Sequence, residues 1–242
     1  MQACPWSFLT DNKKHIISLV GGGGKTTIMY ELAAYFAAQG KRVVCMTTTH
    51  ILQPQLGFAQ VAQAEPVYAA NFAEVRQLWE RGCYAVIGTM EAGTGKLVPP
   101  CEELRRLALQ ESDIVLIEAD GAKHMPCKLP AEYEPVLLEE SDLVIAVVGL
   151  DALGNTLEEV CFRWPLGAEI FASSCNALMD EQKLVSLLLS EQGSRKNVGQ
   201  REYYIALNKC DLLLKEQAVA MRNLLVNRGM APTRIWLRNL EE

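Results

Sequence analysis

The run Gly21-Gly22-Gly23-Gly24-Lys25-Thr26-Thr27 holds the residue types that grip a polyphosphate, in the order gripping requires. Glycine reaches positive φ without steric cost, so successive amides can turn toward one anion. Lys25 follows as a point charge for the β- and γ-phosphates, and the Thr26 hydroxyl as a ligand for Mg²⁺. Thr27 carries the run into a segment of helical period, whose first amides and positive dipole end favour an anion. The pattern departs from G-x-x-x-x-G-K-[ST] at its first glycine, where Leu19 stands, so the loop is expected to be shortened.

A second set of chemical residues surrounds the apolar run Ile114–Ile117, which ends on Glu118 with Asp120 and Gly121 just beyond. A phosphate loop needs such a strand beside it, to orient Mg²⁺ or the attacking water. Glu118 and Asp120 are two apart, so an extended chain points both to one side, where a cation relieves their repulsion. Which of them takes the metal is left open. Downstream, Lys123 and Lys128, with Glu134 after them, are candidates for contact with an acidic or phosphorylated substrate, the alternative being loop lysines in water. His124 is either a general base or an exposed loop residue. Thr47-Thr48-Thr49-His50 closes another apolar run, and hydroxyls at the carboxyl end of a parallel strand lie on the ligand-binding edge. Thr47 and Thr49 are therefore candidates for the γ-phosphate or substrate.

The third set is Asn208-Lys209-Cys210-Asp211, an N-K-x-D tetrad after the apolar run Tyr203–Leu207. In GTPases of the P-loop class this tetrad reads guanine. The Asp accepts from the ring N–H and exocyclic amine, the Asn braces loops and base, and the Lys stem stacks on the ring. Adenine lacks the paired donors and would leave the carboxylate unpaired. GTP is thereby favoured over ATP, against the plainer alternative of an Asn-Lys turn with Asp211 capping a helix.

These residues need strands that end together and helices that begin beside them. β-branched apolar runs at His15–Val20, Arg42–Met46, Cys83–Gly88, Ile114–Glu118, Leu143–Val148 and Tyr203–Leu207 alternate with helical periods, and Arg234–Leu237 is a further edge. That alternation predicts an α/β fold with a mostly parallel sheet sandwiched between helices, in one domain over residues 1–242. Ile28, Leu32, Tyr35 and Phe36 predict one apolar stripe on the first helix, with Gly40 as its left-handed cap. Further helices are expected at Phe72–Arg81, Glu102–Gln110, Asp180–Glu191 and Lys215–Arg228. Gly88–Pro100 and Gly121–Pro135 read as loops, and Gly193–Gln200 as an exposed turn.

Composition narrows the function classes. The net charge of −6 argues against a broad nucleic-acid surface. The longest apolar run, Leu143–Leu150, falls short of the roughly 18–20 residues that cross a bilayer. The N-terminus lacks the order of a secretory signal, so a soluble, cytoplasmic protein is expected. The eight cysteines are scattered without a C-x-x-C pair, which predicts reduced, mostly buried thiols rather than disulfides or zinc.

The shortened loop is similar to that of Mur-type ligases, and also to those of dimeric P-loop ATPases and metallochaperone GTPases. The latter carry a second lysine where Val20 stands here. The ordered set GGGGKTT at 21–27, TTTH at 47–50, EADGAK at 118–123 with P-x-K at 126–128, EP at 134–135, DALG at 151–154 and NKCD at 208–211 resembles the selenium-cofactor biosynthesis proteins called YqeC. The resemblance implies a P-loop NTPase fold and a role in maturing or inserting the cofactor of a selenium-dependent molybdenum hydroxylase. The residues and the resemblance together lead to a Mg²⁺-dependent triphosphatase using GTP or ATP, with a molybdenum hydroxylase or its cofactor as partner. In that reading Lys25, Glu118 and Asp120 are catalytic. Gly21, Gly22, Gly23, Gly24, Lys25, Thr26, Thr27, Asn208, Lys209 and Asp211 bind the nucleotide, and Thr26, Glu118 and Asp120 serve the metal. An ATP-dependent ligase or kinase acting on a small acidic substrate, and a non-hydrolysing cofactor chaperone, are the alternatives.

Overall fold

The computed structural model describes residues 13–52, 66–213 and 215–238. It is a mixed α/β protein whose strands pair mostly in parallel with helices flanking them, and the chain divides into two compact units.

The first unit takes residues up to Leu19, Thr26–Asp120 and Val136–Leu143. Its elements run β1 (His15–Gly21, the last two residues belonging to the second unit), α1 (Lys25–Ala37), β2 (Val43–Thr47), β3 (Ile51–Leu52), β4 (Val67–Ala69), α2 (Phe72–Glu80), β5 (Ala85–Ile87), β6 (Thr89–Glu91), β7 (Lys96–Val98), α3 (Glu102–Glu111) and β8 (Ile114–Glu118). The strands order as β1-β8-β2-β5-β4, each pair parallel, and the register sets Leu19 and Thr47 on either side of Glu118. Strands covered on both faces must be apolar throughout, and every residue of β1, β2, β5 and β8 is buried. One face packs Ile16, Val44, Met46, Val115 and Ile117 against Phe72, Val75 and Leu78 of α2 and Leu104 and Ala108 of α3. On α1, Tyr30 lies near Cys45, a residue of the opposite strand parity, with its ring 6.2 Å from that of Tyr84.

The predicted strands and helices of this unit occur with ends shifted by a residue or two. Helix α1 is not a single-striped helix: Ile28, Met29, Leu32, Ala33, Ala34 and Phe36 are all buried. Gly40 does form the cap, at φ +77°, where its amide reaches Ala37 O and the Lys41 amide reaches Phe36 O, the Schellman pattern. The Gly88–Pro100 stretch is not a plain loop: β6 and β7 form an antiparallel hairpin joined to β3, with Gly93 and Gly95 making the turn.

The second unit takes Val20–Lys25, Gly121–Pro135 and the chain from Val144. It contains β9 (Cys127–Lys128), β10 (Leu143–Gly149, its first residue belonging to the first unit), α4 (Leu157–Val160), β11 (Cys161–Phe162), α5 (Ala168–Phe171), α6 (Glu181–Leu189), β12 (Glu202–Asn208), α7 (Lys215–Asn227) and β13 (Ile235–Leu237). Strand β12 lies between β10 and β13, and β9 and β11 form a separate parallel pair. Buried Leu184, Val185, Leu187 and Leu188 of α6 and Ala218, Met221 and Leu225 of α7 supply its helical core residues. The Gly193–Gln200 turn is tied down rather than simply exposed: Lys196 donates to Ala131 O and Glu132 O, and Asn197 to Pro135 O.

Among the described residues no helix is long and apolar enough to cross a membrane. The seven described cysteines carry free thiols, and Cys4 lies outside the described residues. Cys127 and Cys161 face each other across β9 and β11. Contact between the thiols and burial push the Cys127 thiol well up, which keeps it protonated and unreactive.

Candidate functional site

The glycine run is shaped by the second unit's own backbone. The Gly22 amide donates to Val147 O at 3.0 Å and the Gly23 amide to Met125 O at 2.9 Å. Those amides are therefore spent on the protein, contrary to a nest in which every glycine faces the anion. In the first unit the amides suited to an anion are those of Thr26 and Thr27, in the first turn of α1, where an amide has no partner within the helix. All four glycines of the run are crowded: a Cβ on Gly21 would stand 2.4 Å from Val147 O and one on Gly22 2.6 Å from Met125 O. A Cβ on Gly23 (φ +71°) would stand 2.1 Å from Gly149 N, and one on Gly24 (φ +117°) 2.5 Å from Asn208 Nδ2. Lys25 is buried and folds back to donate to Gly21 O at 2.5 Å, which holds its ammonium over the loop.

In the first unit, Thr26 Oγ1 donates to Glu118 Oε2 at 2.6 Å. The pairing follows from β8 ending level with Leu19 on β1 while α1 starts at the end of the loop. Asp120 is buried in the bend beyond β8, and among the described residues Thr26 bonds Glu118 and not Asp120. A hydroxyl beside a carboxylate is an oxygen-only donor set of the kind Mg²⁺ shares with nucleotide phosphates. Among the described residues no group of three or more His, Cys, Asp or Glu is placed to hold a metal ion. Thr47 ties the ends of two strands together: its hydroxyl donates to Glu118 O at 2.9 Å and accepts the Thr49 amide at 2.9 Å. Thr49 is half-buried beside it.

Lys128 and Glu134 find each other. Lys128 Nζ donates to Glu134 Oε2 at 2.5 Å and to Gly121 O at 2.9 Å, with its side chain 1% exposed. Arg163 also donates to Glu134 Oε2, as does the Ala131 amide at 3.2 Å. Burial raises the Glu134 pKa, but Lys128, the Ala131 amide and Arg163 outweigh it and hold the carboxyl below its ordinary value. This pair therefore braces the segment between Gly121 and Pro135. Lys123 and His124, by contrast, are exposed. Both sit in the left-handed region, at φ +48° and +63°, as does Arg163 at +60°. Each costs on the order of 1 kcal/mol for a residue with a side chain.

The tetrad braces the loop. Asn208, 3% exposed, donates from Nδ2 to Gly23 O at 2.6 Å, while its Oδ1 accepts the Lys209 amide at 2.9 Å and Arg238 Nη1 at 2.5 Å. Lys209, left-handed at φ +61°, donates to Asp151 Oδ2 at 2.6 Å. Asp211 is exposed in the 3-10 turn Cys210–Leu212. Sequence reasoning missed Arg163 and Arg238, which sit in no motif. Asp151 had a signal, since it opens the DALG run.

Comparison with known proteins gives a consistent result. The family model described as "YqeC protein" matches residues 17–165. The Escherichia coli (strain K12) protein named "Uncharacterized protein YqeC" is 33% identical over 235 residues, covering 94% of this chain and 88% of that one.

Proposed function

The chain belongs to the YqeC family, and on that premise we propose that it is a Mg²⁺-dependent nucleoside triphosphatase of the P-loop class that favours GTP. The observation that carries this reading is the 2.6 Å hydrogen bond between Thr26 and Glu118 at the start of the helix that follows the glycine loop. A half-buried threonine bonded to a buried glutamate in that place is what a metal-assisted phosphoryl site requires and a mere glycine turn does not. In this reading Lys25 exchanges the Gly21 carbonyl for phosphate oxygens. The amides of Thr26 and Thr27 take the remaining charge, and Asn208 keeps Gly23 in place. Bound Mg²⁺ would supply charge neutralisation at the phosphates, with Thr26 and Glu118 as its protein holders and Asp120 supporting the attacking water. Water adds to the γ-phosphorus as the bond to the bridging oxygen breaks, releasing a nucleoside diphosphate and phosphate.

The guanine preference rests on N-K-x-D alone, with Asp211 as the residue that would accept from the base. The client, a selenium-dependent molybdenum hydroxylase or its cofactor, rests on the resemblance of the motif series. The test is a binding and turnover panel of GTP, ATP and XTP, with and without Mg²⁺. GTP binding that disappears in Lys25→Ala is expected, and Lys25→Ala binding at wild-type affinity would overturn the assignment. A shift toward XTP in Asp211→Asn is the expected signature of base reading.

A further inference from the structure

We infer that Lys123, Arg163 and the Phe162 ring form a second binding site, for a small molecule that presents a phosphate or carboxylate oxyanion. The inference goes beyond the nucleotide reading, since none of these residues belongs to the glycine loop or the tetrad. Phe162 stands opposite Lys128 in the register of β9 and β11. The Lys123 ammonium lies 5.1 Å from the centre of the Phe162 ring and the Arg163 guanidinium 4.5 Å from it. Arg163 also reaches the hydroxyl of Tyr133, a side chain that is 71% exposed.

Charge in this part of the chain is unbalanced. Lys128 and Arg163 both converge on Glu134, so one carboxylate faces two cations, and Lys123 adds another on the solvent side. Lys196 is turned onto the carbonyls of Ala131 and Glu132, and Glu132 is the exposed acid of the segment. A cationic excess held on one ring, in a chain of net charge −6, attracts an anion of its own size rather than a polymer. The backbone is also arranged for it: Lys123, His124 and Arg163 all adopt left-handed conformations, which side-chain-bearing residues keep only where the surroundings impose them. The same segment touches the glycine loop, with Met125 O accepting the Gly23 amide at 2.9 Å, and the end of β10, with Pro126 O accepting the Gly149 amide at 2.9 Å. A ligand held at Lys123 is thus bound two residues from a loop contact.

The experiment titrates inorganic phosphate into the full chain carrying Lys25→Ala, which removes the loop's own lysine, and follows the side-chain nitrogen resonances of lysine and arginine. Saturable shifts at Lys123 and Arg163 are expected. Adding Lys123→Ala should weaken the half-saturation about ten-fold, the size of one charge-assisted contact. Lys123→Gly, which suits the left-handed backbone, should give the same loss if Lys123→Ala folds poorly. Shifts without saturation, or an equal loss from Lys96→Ala on the exposed hairpin, would overturn the site. Nucleotide binding by the unaltered chain is a separate titration. Its failure would remove the triphosphatase reading while leaving the phosphate result standing.

Discussion

Gly23 and Gly24 are neighbours held by different kinds of atom. A methyl group at 23 meets the Gly149 backbone, which cannot turn away, whereas one at 24 meets the end of the Asn208 side chain, which can. Gly23→Ala is therefore expected to cost about 3 kcal/mol or more in urea unfolding. Gly24→Ala should cost about 1–2 kcal/mol, mostly from its left-handed backbone, and should weaken nucleotide binding by displacing the Asn208 brace. Glu118→Gln keeps the side-chain volume and an oxygen able to accept from Thr26, but loses the negative charge. Nucleotide binding should survive while Mg²⁺-dependent turnover falls on the order of 10²-fold, read in a steady-state hydrolysis assay. Unchanged turnover would shift the metal role to Asp120, the choice the sequence left open.

Among the elements, α2 offers the cleanest measurement of a cap. Asn71 accepts the Glu74 amide, and Glu74 returns to the Ala70 amide and to Asn71 Nδ2. Asn71→Ala should destabilise the first unit by about 1 kcal/mol in chemical unfolding. The long elements were legible because each carries a run with its own period and its own stop: His15–Val20, Ile114–Glu118, Leu143–Val148 and the Gly40 cap all appear where the pattern put them. The short ones were not. Strand β4 has three residues, and β9 and β11 have two apiece, too few to show alternation, so their pairing depends on partners far along the chain. That is why Lys128 read as a solvated or ligand-binding lysine. Its burial follows from β9 packing, Glu134 and Arg163, and only Glu134 is close in sequence. Helix α1 misled for a related reason: periodicity shows the strongest apolar face, and the remaining alanines do not declare that they too are covered.

At the scale of the molecule, each compact unit contains a carboxylate held ionised by cations, so acid should act on both. Asp113 in the first unit is drawn below its ordinary 3.8 by hydrogen bonds from Arg42, and Glu134 in the second lies below its ordinary 4.5 despite burial. A carboxylate with a lowered folded-state pKa contributes stability above its unfolded value and loses it as pH falls through the folded one. The Glu134 contribution is thus complete at neutral pH and declines below about pH 4.5. Glu134→Gln removes the carboxylate paired with a lysine whose side chain is 1% exposed, so a buried charge loses its counter-ion. At pH 7 that should cost about 3–5 kcal/mol. The gap between variant and parent should narrow as pH drops toward the folded-state pKa, because the parent's own Glu134 then becomes neutral. Urea midpoints taken between pH 7 and pH 3 test this directly. A gap constant across that range would mean that Lys128 and Glu134 do not share the ionised contact, and that the segment bearing Lys123 is held by something else.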